Sequence, residues 1–210
     1  IVEVLAKAGK LGEVCLADEK INGSGFVADF YSNFEDYSRR ILSGDDLYFK
    51  QMLSDQHIAE CDSSCYKCLK TYRNMPYHGL LDWRLGIALF RIMIDNTYKA
   101  GADGNFDYPE LKGWKDLART LLTALNEGFF RKSDGRLVYE LSETTCGIPY
   151  LYDPDKTRMP IFASHPLWEG VAETQILADA VFEASMEQGE DWNSDNVITI
   201  DTFNLLRRSA

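Results

Sequence analysis

Apolar residues keep a helical beat over several long stretches of the chain and cluster in short runs between them. Over 34–60, Tyr37, Ile41, Leu42, Leu47, Phe49, Met52 and Leu53 recur at the spacing of one or two helices. Ser43-Gly-Asp-Asp46 interrupts that beat, and Gly44 suits a helix C-cap. Leu81, Leu85, Ala88, Leu89, Ile92 and Met93 predict one face of a helix over 80–94, with Asp82 in its first turn, where the helix dipole favours an anion. Further helices are predicted over 114–125, stopped by Asn126-Glu-Gly128, and from Glu169 to about Gln188.

The short runs predict strands. They are Glu13–Asp18, Arg136–Leu141 behind the Asp134-Gly135 turn, part of Thr145–Tyr152, the buried run opening at Pro160 and leading to Trp168, and Val197–Ile200. Ile1–Lys7 fits a helix or a strand. Strand, Gly-rich turn and helix come early, and strand, helix and strand come late. That order argues an α/β fold, or a mixed α+β one. Residues 1–100 are expected to form one unit, with 101–210 a C-terminal α/β extension packed on it as one continuous module.

Asn22-Gly-Ser-Gly25 lies between the first strand and helix. Its glycines permit positive φ, and a helix N-terminus can hold an anion. The plain reading is a turn, since no Lys-Ser/Thr completes a phosphate-binding loop.

The richest chemistry lies between Cys61 and His78. Cys61-x3-Cys65-x2-Cys68 places three of five cysteines within eight residues. A Cys-x2-Cys turn lets two thiolates reach one ion at about 2.3 Å, and three Cys with one His make a closed, structural zinc sphere. A redox pair, a disulfide cluster and plain packing are the competing readings. The odd cysteine count speaks against disulfides and for a reducing cytoplasm. His57, four residues before Cys61, reads as an ordinary exposed histidine, with ligation as the alternative.

The chain has 210 residues, 45% of them hydrophobic, enough for a sizeable core. Its net charge of −11 makes it, as a whole, a poor electrostatic partner for DNA. Between Cys61 and Arg84 the balance reverses, with Lys67, Lys70, Arg73 and Arg84 against Asp62 and Asp82. No apolar run is long enough to cross a membrane. The opening Ile-Val-Glu, without an initiator Met, reads as a piece of a longer chain.

Cys61-x3-Cys65-Tyr-x-Cys68-Leu-x-x-Tyr72-x-Asn74, with His78 and Leu81-Asp82-x-Arg84, resembles the zinc-binding C-terminal domain of the mitomycin-repair-factor type. Prokaryotic superfamily 2 DEAD/DEAH-like helicases of DNA repair and anti-phage defence carry that domain. Asn22–Val27, Ser164–Trp168 and Thr202–Arg208 add looser likeness. The resemblance covers about residues 13–95 well. It implies a zinc-stabilised accessory domain that helps an ATP-driven motor bind or position DNA. In the repair form the fourth ligand is a Cys at the position of Asn74. The resemblance therefore implies Cys61, Cys65, Cys68 and His78 as the zinc ligands, with His57, Cys15 or Cys146 as alternatives for the fourth. Asp82 and Arg84 are candidates for supporting the site, Asp82 by receiving Arg84 or the His78 imidazole.

Lys67, Lys70, Tyr72, Arg73 and Tyr77 interleave cations and aromatic rings suited to phosphates and stacked bases. The alternative to DNA binding is a protein-interaction module that docks the motor domain or a partner subunit through Trp83, Trp114, Trp168 and Trp192. No Walker loop or Asp-Glu-x-Asp/His box is present, so ATP hydrolysis cannot be assigned to these residues. An enzyme built on Ser164-His165 or Asp18 is disfavoured, because neighbours on a strand point to opposite faces.

Overall fold

A computed structural model describes residues 2–6, 12–16 and 23–208. The fold is mixed α/β, with a helical half first and a four-stranded sheet after it. Strands β1 (Val2–Ala6) and β2 (Gly12–Leu16) pair antiparallel, with Val4 opposite Val14. The ambiguous first run is therefore a strand. Asp18 and Asn22 lie outside the described residues.

Helix α1 (Phe26–Ser32) starts after Gly25, whose φ of 81° places it in the left-handed region. Its first turn carries Asp29, whose carboxylate accepts from the Tyr37 hydroxyl at 2.6 Å. An anion at that terminus would meet a negative charge, which leaves the turn reading of the Gly-rich stretch. Helix α2 (Phe34–Ser43) ends on Gly44 at φ 70°, as its sequence predicts. The remainder of 34–60 is two short helices, α3 (Leu47–Met52) and α4 (Asp55–Glu60). Each starts on a side-chain cap: Asp46 accepts from the Tyr48 amide, and Ser54 from the His57 amide.

Helix α5 (Trp83–Ile94) is capped by Asp82, which accepts from the Leu85 amide at 3.0 Å. Its buried face is Trp83, Arg84, Ile87 and Ala88, while Ile92 and Met93 are exposed. The expected face is thus rotated. Arg84 and Arg91, seven residues apart, mark a polar side that spacing would turn to water, but both are tied inward, to Lys112 and to Glu110. The choice falls to Trp83, the largest side chain available to fill the small core below it.

In the sheet half, α6 (Trp114–Phe129) packs on β4 (Pro149–Tyr152) and β5 (Ile161–Ser164). It runs past the expected stop, with Gly128 inside its last turn. β3 (Glu140–Glu143), β4, β5 and β6 (Ile198–Asp201) form the sheet in that order. The expected Arg136–Leu141 strand lies further on, at β3, and only an isolated bridge joins Arg131 to Leu137. β5 and β6 are parallel, and α7 (Gln175–Gln188) lies in the crossover between them. Helix α8 (Thr202–Arg208) closes the chain against α6.

The two halves meet through polar and ionic ties. Arg84 donates to the carbonyls of Ile58, Glu110 and Lys112, and Arg91 forms a two-pronged pair with the buried Glu110. Lys112 pairs with Asp55, and the Trp168 indole donates to Ala100.

Candidate metal centre

The Ser54 cap fixes where α4 begins and so sets His57 and Cys61 one turn apart, at i and i+4 on one face. Cys61 ends α4, and the chain then turns through Cys65 and Cys68. Lys70 and Cys68 donate their amides to the Cys65 carbonyl, closing a tight knuckle. Two further amides point at sulfur: Lys67 to Cys65 Sγ at 3.3 Å, and Cys65 to Cys68 Sγ at 3.1 Å. Such donors favour thiolates over thiols.

His57, Cys61, Cys65 and Cys68 bring four ligand atoms within 4.8 Å of one another. Cys61 and Cys68 sulfurs are 3.9 Å apart, and Cys65 Sγ lies 3.5 Å from His57 Nε2. A tetrahedron built on metal–sulfur bonds of about 2.3 Å and a metal–nitrogen bond of about 2.0–2.1 Å has edges of about 3.8 and 3.6 Å. The donor set and its spacing fit a tetrahedral ion.

The surroundings hold each ligand in place. His57 is 3% exposed. Its Nδ1–H donates to the Met52 carbonyl at 2.8 Å, which fixes the tautomer and leaves the Nε2 lone pair facing Cys65. Its ring stands edge-on to Trp83 at 5.3 Å between centroids. The Trp83 indole donates to the Cys61 carbonyl at 3.0 Å, and its amide to Ser63. The Tyr48 hydroxyl donates to the Cys68 carbonyl. Arg84 grips the Ile58 carbonyl on α4 at 2.9 Å and lies over the Trp83 ring. Asp82 acts as the cap of α5 rather than as a partner of His78.

Electrostatics favour a cation at the centre. Burial and neighbouring thiolate charge push Cys61 far above the usual thiol range, and burial likewise raises Cys68. At Cys65 burial works the same way, but the Lys67 amide and the neighbouring thiols outweigh it and hold the thiol below its usual value. Burial lowers the His57 pKa, so the imidazole is neutral and able to ligate. Three thiolates cannot crowd together here without a cation, and a metal ion displaces their protons on binding.

Sequence expectation and geometry part at the fourth position. His78 rides on a 3-10 helix, Tyr72–Leu80, and its Nε2 donates to the Thr71 carbonyl and to Asn74 Oδ1, each at 3.0 Å. The structure does not bring it into the cluster. Asn74 is the hub of this loop, accepting from the Thr71 amide and donating to the Leu69 carbonyl, both at 2.8 Å. His57, expected to be exposed, is buried at the site. The His57–Cys61 helical spacing was the signal for it. Cys146 lies in the sheet half, 3.1 Å from Thr144 Oγ1. The side chain of Cys15 lies outside the described residues.

The expected DNA contacts sit beside the knuckle. Tyr72 is 86% exposed, and Arg73 and Tyr77 are exposed on the same segment; Tyr66, which is not among the expected contacts, is 72% exposed beside them. Lys70 is half-buried, and Lys67 is paired with Glu60 at 3.0 Å. Of the four tryptophans expected on a docking face, Trp83 and Trp114 are buried and so lie off any such face, and Trp168 and Trp192 are half-buried. His165 is enclosed by Trp114 and Trp168, and its Nδ1 accepts from the Leu167 amide. It is a packed core histidine. Among the described residues no helix is long and apolar enough to cross a membrane. No family model matches the chain, and no curated protein or solved structure matches it either.

Proposed function

We propose that the His57–Cys61–Cys65–Cys68 centre binds one zinc ion and staples an accessory domain of an ATP-dependent DNA helicase or translocase. The observation that carries the metal part is the closed set of three thiols and one pre-oriented imidazole at tetrahedral spacing. Zinc favours such a sphere, and no ligand position is left for catalysis.

The nucleic-acid part is supported by the segment that runs through and out of the knuckle. Tyr66, Tyr72 and Tyr77 are exposed in twelve residues that also carry Lys67, Lys70 and Arg73. Exposed rings stack on bases irrespective of sequence, and the cations track phosphates. The likeness of the Cys61–Arg84 run to helicase-associated domains supplies the motor context. The parent's repair or defence role rests on that likeness alone.

The test is binding of the zinc-loaded chain to a fluorescent single-stranded oligonucleotide. Tyr72→Ala and Tyr77→Ala are each expected to cost about 1–3 kcal/mol in binding. Neither should move thermal stability by more than about 0.5 kcal/mol, since both rings are exposed. Lys70→Ala with Arg73→Ala should weaken binding and flatten its salt dependence. Unaltered affinity in all of these variants would remove the segment from the role.

A further inference from the structure

Three cations, Arg131, Lys132 and Arg158, line a cleft of about 520 Å³ whose other walls include Phe129, Phe130 and Val138. No carboxylate is among its lining residues. That runs against the composition, in which 33 acidic residues face 22 Lys and Arg.

The cleft is mounted on a tight hairpin. The Lys132 amide donates to the Arg136 carbonyl at 2.7 Å, and Gly135, at φ 85°, makes the turn. Arg131 is oriented without being neutralised: its Nε donates to the Glu127 carbonyl and its Nη1 to the Gly135 carbonyl. Carbonyls fix the guanidinium in place yet leave its net charge for a further anion. Arg158 comes from the opposite loop. It lies within reach of the Asp153 carboxylate, so its charge is partly offset there. Burial raises that carboxylate, and hydrogen bonds from Thr157 and Asp155, with Arg158 least, hold it below its usual value. Lys132 is partly offset by Asp155 at 2.5 Å. Arg158 also lines an adjoining cavity of about 270 Å³, walled by Tyr152 and Trp192 and, unlike the cleft, by two carboxylates, Asp153 and Glu190.

We propose that this cleft is a phosphate site that takes one nucleotide unit. Two guanidiniums that line one cleft from different loops supply the planar, forked donors that a phosphate's oxygens accept from. Phe129, exposed at the end of α6 and part of the cleft lining, offers a ring face for a base. The phosphate comes from a single-stranded nucleic acid or from a free nucleotide. The site shares no residue with the knuckle segment and stands or falls separately from it.

The test titrates the reduced, zinc-loaded chain with fluorescein-labelled dT12, with dTMP and with inorganic phosphate. Arg131→Gln/Arg158→Gln should weaken each probe that binds the parent chain by at least about tenfold. For dT12 the salt slope should fall by about 0.7 per arginine removed. Arg136→Gln, on the same hairpin but outside the cleft lining, should change nothing. Arg131 also braces the hairpin, so Arg158→Gln alone, on an exposed loop, must weaken binding several-fold by itself. Loss with dT12 only assigns a strand phosphate, and loss with dTMP and phosphate as well assigns a free nucleotide. Unaltered affinity in the double variant, equal weakening by Arg136→Gln, or no binding of any probe at millimolar concentration overturns the site.

Discussion

The helical half and the sheet half are built on unequal cores. The sheet half encloses nineteen buried apolar side chains, among them Phe162, Leu151 and Leu177, which are entirely enclosed. The core of the helical half around the knuckle has six, namely Met52, Ile58, Cys61, Cys68, Trp83 and Ile87, and two of these are candidate metal ligands. Helices as short as α3 and α4 do not hold themselves together, and so small a core leaves little margin against chain entropy. On the proposed reading, a metal ion held by His57, Cys61, Cys65 and Cys68 would substitute for hydrocarbon in the smaller core. Where small units lack core, a structural metal commonly supplies the missing folding energy.

The largest expected effect comes from that contrast. Stripping the metal with a strong chelator should unfold α2 to α5 and leave the sheet half folded. Structural zinc contributes about 10–16 kcal/mol of apparent free energy in small zinc-dependent units. Amide hydrogen exchange resolved by segment reads it: protection lost over 34–94 and kept over 149–186. Uniform loss, or none, would break the division into a metal-built and a hydrocarbon-built half.

Next come two matched truncations. Trp83→Ala and Phe162→Ala should each cost about 3–5 kcal/mol, as large core deletions do. Only Trp83→Ala should also weaken metal affinity, because its indole braces both His57 and the Cys61 carbonyl. Equal effects on metal binding would show that the cores are not separable.

The joint between the halves is tested at Arg91. The Glu110 carboxylate is fully enclosed, so Arg91→Ala leaves a buried charge unpaired, at about 3–5 kcal/mol in thermal or denaturant unfolding. Replacing both by Met should cost far less. If the double variant is as damaged as the single, the pair holds the halves by more than its own charges.

A smaller effect distinguishes the halves by pH. Burial pulls the His165 imidazole down to about 4, against an ordinary value near 6.5. The folded form then resists a proton that the unfolded chain accepts. Stability is full above about pH 6.5 and falls by about 3 kcal/mol as pH drops to about 4. Urea unfolding of chelator-treated protein isolates this loss in the sheet half, and His165→Phe should flatten it. A profile that keeps its slope in that variant would assign the loss to other groups.

Much of the architecture was legible in the residues. Gly44 marked a helix end, Asp82 marked a helix start, and the apolar run at 161–164 is a fully buried strand. The buried face of α5 was not legible, because Arg84 and Arg91, which mark a polar side, are turned inward onto the Ile58 carbonyl and the Glu110 carboxylate. Ser43–Asp46 announced the first break in 34–60, but the second, between α3 and α4, depended on the Ser54 cap, which no break in the apolar spacing marks. The three cysteines announced the candidate centre by spacing. Its histidine was hidden for two reasons. His78 lies in the same loop as the cysteines, and the helical i, i+4 relation of His57 to Cys61 only counts once α4 is known to end at Cys61. The cleft at Arg131 and Arg158 joins residues 27 positions apart, a proximity that no local pattern contains.

The most direct measurement is metal content of the purified, reduced chain by elemental analysis, compared among the parent, His57→Ala and His78→Ala. One zinc per chain in the parent and in His78→Ala, with loss in His57→Ala, is the expected result. Zinc kept by His57→Ala and lost by His78→Ala would contradict the assignment of the fourth ligand, and a parent chain without metal would contradict the centre itself.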